Sequence, residues 1–287
     1  VFSGFFIILF TRFTFKNTTE RLEHHEEAPS LKECLHLLAT NRPLLMLFLG
    51  NIFFVIIKVS EQASFYFAYD ALFNAKYNGF LDIAKAPGSF LAGIFVPIII
   101  ERLGRKADSK KFYQVCCVMG IVLNGLFALC TYNGIMNKGA GQSVSLLTGL
   151  MVIVFSAVVT FPLEFKNLMQ KEMEAETVDY VEWKTGKRVE GTMLSIMSFT
   201  GKLEGTLSSF ICLQVLARTG YVEHTTDVST LQNHSTLLGL FLMTTVFPMV
   251  GYALMLIPMH FYNITGDSHR RMIKDIMARR AQAGEAA

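Results

Sequence analysis

Charged side chains are scarce in this sequence. Asp, Glu, Lys and Arg make up 17% of its 287 residues, where a soluble domain carries about 25%. That scarcity excludes a disordered chain, which needs high charge and low hydrophobicity. Proline (7) and glycine (21) show no repeating pattern, which excludes a collagen-like fold. The five cysteines, Cys34, Cys116, Cys117, Cys130 and Cys212, form no CxxC and no Cys/His metal spacing. They read as free buried thiols and exclude a disulfide scaffold. No Lys/Arg run is interleaved with aromatics, so nucleic-acid binding has no footprint, and the net charge of +3 adds none. His24-His25 has no further ligand at a fitting spacing, so no metal site is expected. HExxH and GxSxG are missing, and the seven histidines fall mostly in loops or at the ends of apolar stretches. A membrane-embedded enzyme therefore lacks its nucleophile, base or metal set, and no cofactor is expected.

Apolar residues fill the chain instead. They are 52% of it, with 25 phenylalanines and a mean hydropathy of +0.39, the composition of an integral membrane protein. Crossing a bilayer as a helix takes about 20 mostly apolar residues. Six stretches qualify: roughly Pro43–Leu72, Gly79–Ile100, Phe112–Asn133, Ser145–Leu168, Val189–Leu216 and Ser235–Tyr262. The opening run Val1–Phe10 is too short to span and lacks the basic start of a signal peptide. It is expected to be the end of an earlier helix.

Orientation follows from Lys and Arg in the loops. Alternating the six stretches puts nineteen of the 26 on one side of the membrane. Only Lys76, Lys138 and Arg218 fall on the other. The basic side is expected to be cytoplasmic. Six helices after a partial one, with both ends inside, is the plan of half a twelve-helix transporter. The expected organisation is an all-α membrane protein: six spanning helices, half of a twelve-helix bundle, plus the end of the preceding helix. Residues 1–15 would be that end and 16–42 a cytoplasmic linker between halves. Residues 43–263 would form the six-helix bundle, and 264–287 a cytoplasmic tail.

Ionisable groups inside spans are costly and mark function by default. Lys58 and Glu61 are three apart, so they share a helix face and can pair, with Gln62 extending the patch. Asp82 and Lys85 repeat the spacing, followed by Pro87-Gly88. Glu164 and Lys166 are expected near the cytoplasmic end, with Lys166 reaching out to water. Lys202 follows Arg188 by about 21 Å of helix, deep in the bilayer and near Ser198. Glu204, two residues on, points elsewhere. Lys202 is expected to face a central cavity.

One segment is distinctive: Val178-Asp179-Tyr180-Val181-Glu182-Trp183-Lys184-Thr185-Gly186-Lys187-Arg188-Val189-Glu190-Gly191. It resembles the loop between helices ten and eleven of the glycoside–pentoside–hexuronide:cation symporters, the melibiose permease-like family within the major facilitator superfamily. Asn41-Arg42-Pro43-Leu44-Leu45 looks like that family's entry to helix seven. Tyr262-Asn263-Ile264-Thr265-Gly266-Asp267 with Arg270-Arg271 is similar to its exit from helix twelve. The resemblance implies that the bundle is the six-helix carboxyl-terminal half of a major facilitator fold, helices seven to twelve, with residues 1–15 the end of helix six. It implies secondary transport of a sugar or glycoside, coupled to Na⁺ or H⁺ by alternating access, in the plasma (inner) membrane. It implies that Lys202 lies beside the sugar and cation sites. It also implies a cytoplasmic gate of Asp179, Tyr180, Glu182, Arg188 and Glu190. The partners implied are the sugar, the cation, the lipid bilayer and an amino-terminal half that holds most of the cation site. Glu204 stands where the family has a small residue, and Lys58 and Glu61 match no hallmark of it. The competing reading is a major facilitator carrier of a lipid or peptide.

Overall fold

The computed structural model describes residues 8, 10–14, 30–74, 76–103, 108–138, 142–186, 189–223 and 231–285. Among the described residues the regular structure is entirely helical. Helix α1 (Leu31–Thr40) opens with a capping box, in which Ser30 and Glu33 satisfy each other's backbone amides. Asn41 then caps α2 (Arg42–Tyr66), whose first turn also carries a proline. α2 finishes in one wider π-helical turn, Phe67–Ala71.

The remaining helices are α3 (Lys76–Leu103), α4 (Ser109–Met136), α5 (Leu146–Thr185), α6 (Glu190–Thr219), α7 (His234–Phe261) and α8 (Gly266–Glu285). Asp108, Ser145 and Asn233 each accept a backbone N–H as N-caps of α4, α5 and α7. Gly186 and Gly220 end α5 and α6 at φ of +73° and +77°, a conformation that only glycine adopts without strain.

Among the described residues four helices are long and apolar enough to cross a membrane: Arg42–Ala71, Ser109–Met136, Leu146–Thr185 and His234–Phe261. α3 and α6 have 28 and 30 residues but carry internal charges. α2 packs along α7 and α6, α5 packs against α3 and α4, and α4 also meets α7. Phe54, Tyr113, Met169, Tyr252, Met255 and Met259 make one buried cluster, and Phe67, Leu72, Phe127, Val152 and Phe241 another. Leu129, Phe90 and Ile83 turn outward instead, as a lipid-facing belt requires.

α5 overshoots its expected end at Leu168 and runs 40 residues to Thr185. At 1.5 Å per residue that is about 60 Å, twice the hydrocarbon core. Its last turns therefore stand outside the membrane, where α8 packs on them. The tail is thus an ordered helix, with Met272 and Ile276 buried.

Candidate functional site

α2, α3, α4, α5 and α7 enclose a cleft of about 510 Å³. Its walls mix rings with hydrogen-bonding groups. Phe65, Phe127 and Tyr252 supply the rings, and Ser60, Glu61, Asn78, Asp82, Lys85, Asn124, Thr160 and Glu164 supply most of the polar atoms. Asp82 and Lys85 form the expected ion pair at 3.3 Å, at the solvent-exposed rim. Ser89 of α3 donates to Glu164 of α5 at 3.5 Å, tying the two walls together. Buried Asn124 donates to the Gly120 carbonyl at 2.8 Å. Convergent polar groups between apolar and aromatic walls are the mark of a small-molecule site. A polyhydroxylated solute suits such walls, with its C–H faces on the rings and its hydroxyls on the polar groups.

Lys58 does not pair with Glu61. It reaches across to α6 and meets Glu204 at 3.3 Å. Glu61 lines the cleft, and Gln62 is exposed beside it. The physical reason is register. Glu204 lies on the buried face of α6, against α2, where water does not compete for it. Phe54 supports the pair, its ring centre 5.7 Å from the Lys58 ammonium and 3.8 Å from that of Lys166.

Lys166 is also placed differently from the expectation. It is fully buried, does not reach water, and donates to Gln170 at 3.2 Å. The same α5 overshoot that carries the helix past Leu168 keeps Lys166 inside the bundle. Sequence reasoning gave Glu204 no partner and put Lys166 in the wrong place. A three-to-four-residue rule sees only partners on the same helix. It reaches Gln170 from Lys166, but the Lys58–Glu204 pair and the Phe54 ring over Lys166 lie across helices.

Lys202 and Ser198 lie on the opposite face of α6 from Glu204. Both are exposed, in a stripe with Ser195 and Thr206. A Cβ on Gly201 or Gly205 of that region would meet nothing within 4 Å. Lys202 has no ion-pair partner among the described residues.

At the basic end, two of the residues expected in a gate, Asp179 and Glu182, bond to the tail helix. His269 and Asp179 are 3.0 Å apart. Glu182 pairs with Arg280. Trp183 donates its indole N–H to Asp275 at 2.9 Å and accepts from Arg279 through its carbonyl at 2.8 Å. The Tyr180 and Trp183 rings lie 6.3 Å apart. Buried Glu176 accepts from Ser109 at 2.9 Å and from Tyr262 at 3.3 Å. The hydrogen bond to Asp179 raises the His269 pKa, and burial raises that of Glu176. Glu190 opens α6 at its N-terminal turn, where a carboxylate is favoured. Arg188 lies outside the described residues.

A sequence model for MFS/sugar transport proteins, MFS being the major facilitator superfamily, matches residues 2–266. The chain belongs to that family. It is a family of transport proteins, and the chain is a multi-pass all-α membrane protein within it. An uncharacterized symporter of Bacillus subtilis (strain 168) is 25% identical over 91% of the chain and 53% of its own length. A glucuronide carrier protein homolog of Escherichia coli (strain K12) is 24% identical over 91% and 53%. A provisionally named 2,3-dihydroxypropane-1-sulfonate exporter of the same organism is 26% identical over 97% and 57%. The chain spans about half the length of the curated relatives it matches.

Proposed function

We propose that this MFS/sugar transport family member contributes the carboxyl-terminal half of a secondary transporter that moves a sugar or glycoside by alternating access, coupled to Na⁺ or H⁺. The observation that carries the reading is the cleft of about 510 Å³, walled by rings and hydrogen-bonding groups inside an apolar bundle. The names of the relatives support it, since they include a symporter and a glucuronide carrier. Another is named an exporter, so the direction of flux is part of the test.

In this reading residues 43–263 form helices seven to twelve and 16–42 the linker. The basic end faces the cytoplasm, in the plasma membrane. The polar stripe of α6 faces the amino-terminal half, because an ammonium on a lipid-facing surface is strongly disfavoured. Lys202 does not line the cleft, and in this reading it meets a carboxylate of that half at the seam between the halves, near the coupling ion. Asp179, Tyr180, Glu182, Arg188 and Glu190 close the inner mouth, with α8 bracing α5 from behind.

The test is solute flux in proteoliposomes that hold this chain joined to its amino-terminal half, under an imposed Na⁺ or proton gradient, in both directions, across a panel of neutral and anionic sugars. Lys202→Ala should cut coupled flux about a hundredfold, the scale of one lost positioning contact. Lys111→Ala, on the exposed start of α4, should leave it unchanged. Full gradient-driven flux in Lys202→Ala would refute the role given to this lysine, and no flux of any sugar would refute the substrate class.

A further inference from the structure

The face of α8 turned away from α5 has no role in the transport reading. Met272, Ile276, His269 and Arg280 all point toward α5, through burial or through their bonds to Asp179 and Glu182. The opposite face of the first three turns carries Arg270, Arg271 and Lys274, which with Asp267, His269 and Ile273 line an open recess of about 500 Å³. Asp267 is paired with Arg270. Arg271 and Lys274 have no ion-pair partner among the described residues. Beside this basic patch Met277 is 64% exposed. The location adds a constraint. α7 ends at Phe261 and α8 begins at Gly266, so at most about 18 Å of chain separates the basic turns from the membrane boundary.

We infer that this face of α8 is a binding site for the headgroup of an anionic phospholipid, held by Arg271 and Lys274 with Arg270 at its edge. Charge complementarity selects the phosphate group, since the recess carries Arg270, Arg271 and Lys274 against one carboxylate, Asp267, which is paired with Arg270, while His269 is engaged by Asp179. The same phosphate chemistry occurs in a free anion, but two features favour the lipid. The recess is open, where a soluble anion would need enclosure, and an exposed methionine adjoins the basic groups as an acyl chain requires. A basic helix immediately after a spanning segment meets the surface charge of an anionic leaflet at close range. The inference does not depend on what the protein transports.

The experiment places the protein in phosphatidylcholine nanodiscs with and without phosphatidylglycerol. It measures amide exchange over residues 266–282 and titrates the lipid. Phosphatidylglycerol should slow exchange, and added salt should reverse the effect. Arg271→Gln with Lys274→Gln should weaken the lipid about 25-fold, equivalent to about 1 kcal/mol per basic residue. Arg271→Lys with Lys274→Arg keeps both charges and should keep the affinity. Trp183, the sole tryptophan of the chain, reports through its emission that α8 stays docked in each variant. Equal protection in pure phosphatidylcholine would overturn the inference. So would equal protection by inorganic phosphate in detergent, which would make it a soluble-anion site. Unchanged lipid affinity in the glutamine variant, with Trp183 undisturbed, would do so as well.

Discussion

Two groups of charges hold this molecule together, one within the bundle and one beyond it. Inside, Lys58 and Glu204 meet at 3.3 Å between α2 and α6, with the fully buried Lys166 sharing the Phe54 ring. At the basic end, Asp179, Glu182 and Trp183 each bond to α8, and Lys110 donates to the carbonyls of His260 and Tyr262 at 3.1 and 2.6 Å. The chemistry is the same, but the solvent differs. Inside the bilayer no water replaces a lost partner, so one pair carries most of the consequence. In water each bond contributes little, and the tail is held by their number.

The largest effect should come from breaking the interior pair alone. Glu204→Ala leaves Lys58 without its carboxylate and should cost about 3 kcal/mol, read as a lower unfolding temperature in detergent. Lys58→Met with Glu204→Met removes both charges and should recover most of that loss. A double variant no better than the single would mean that packing, and not charge, holds this contact. Next is a steric change close to the same core. A Cβ on Gly120 would sit 2.4 Å from the buried Tyr252 ring, so Gly120→Ala should cost about 2 kcal/mol by overpacking.

The tail responds more weakly, and to pH. Both His269 and Glu176 have folded pKa values raised above their ordinary ones. A raised value means the contribution is complete below the unfolded pKa and disappears as pH rises through the folded one. Glu176 bonds to Ser109 and Tyr262 and not to α8, so its share of the stability should fall from about pH 4.5 upward without undocking the tail. The His269 bond to Asp179 should loosen α8 above about pH 6.5, as His269 discharges. His269→Ala should cost about 1 kcal/mol or less below that second range and almost nothing above it. Trp183 emission of both proteins against pH is the measurement, and a difference between His269→Ala and the parent that grows with pH would reverse the assignment. The smallest effect belongs to Asp82→Asn at the exposed rim of the cleft, about 0.5 kcal/mol or less, by the same thermal assay.

Much of the helical plan could be read from apolar length and loop charge, because both depend on composition along one segment. The starts of α2, α4, α5 and α7 fall close to the expected ones, where Asn41, Asp108, Ser145 and Asn233 act as caps. The end of α5 did not follow, because helix continues into water wherever a neighbour covers it, and α8 was the neighbour. The Asp82–Lys85 pair could be read from its spacing on one helix. The Lys58–Glu204 pair and the burial of Lys166 under the Phe54 ring could not, since α2 supplies Lys58 and Phe54 and only packing brings them near. The polar residues of the cleft were visible one at a time, but their convergence from five helices was not.

α5 joins these regions physically. It passes the cleft at Glu164 and the buried Lys166, then continues without a break to Asp179 and Glu182. Pro162 lies in its interior, and there the backbone has no N–H to return to the preceding turn, so the rod is softest at that point. Below it about 35 Å of unbroken helix remains. A bend of about 10° at the proline would swing the far end by about 6 Å, comparable to a one-turn shift of one helix past another. A solute pressing on the wall near Glu164 would thus work the short arm of a lever, with its fulcrum at Pro162 and its long arm carrying Asp179, Glu182 and the tail helix bonded to them.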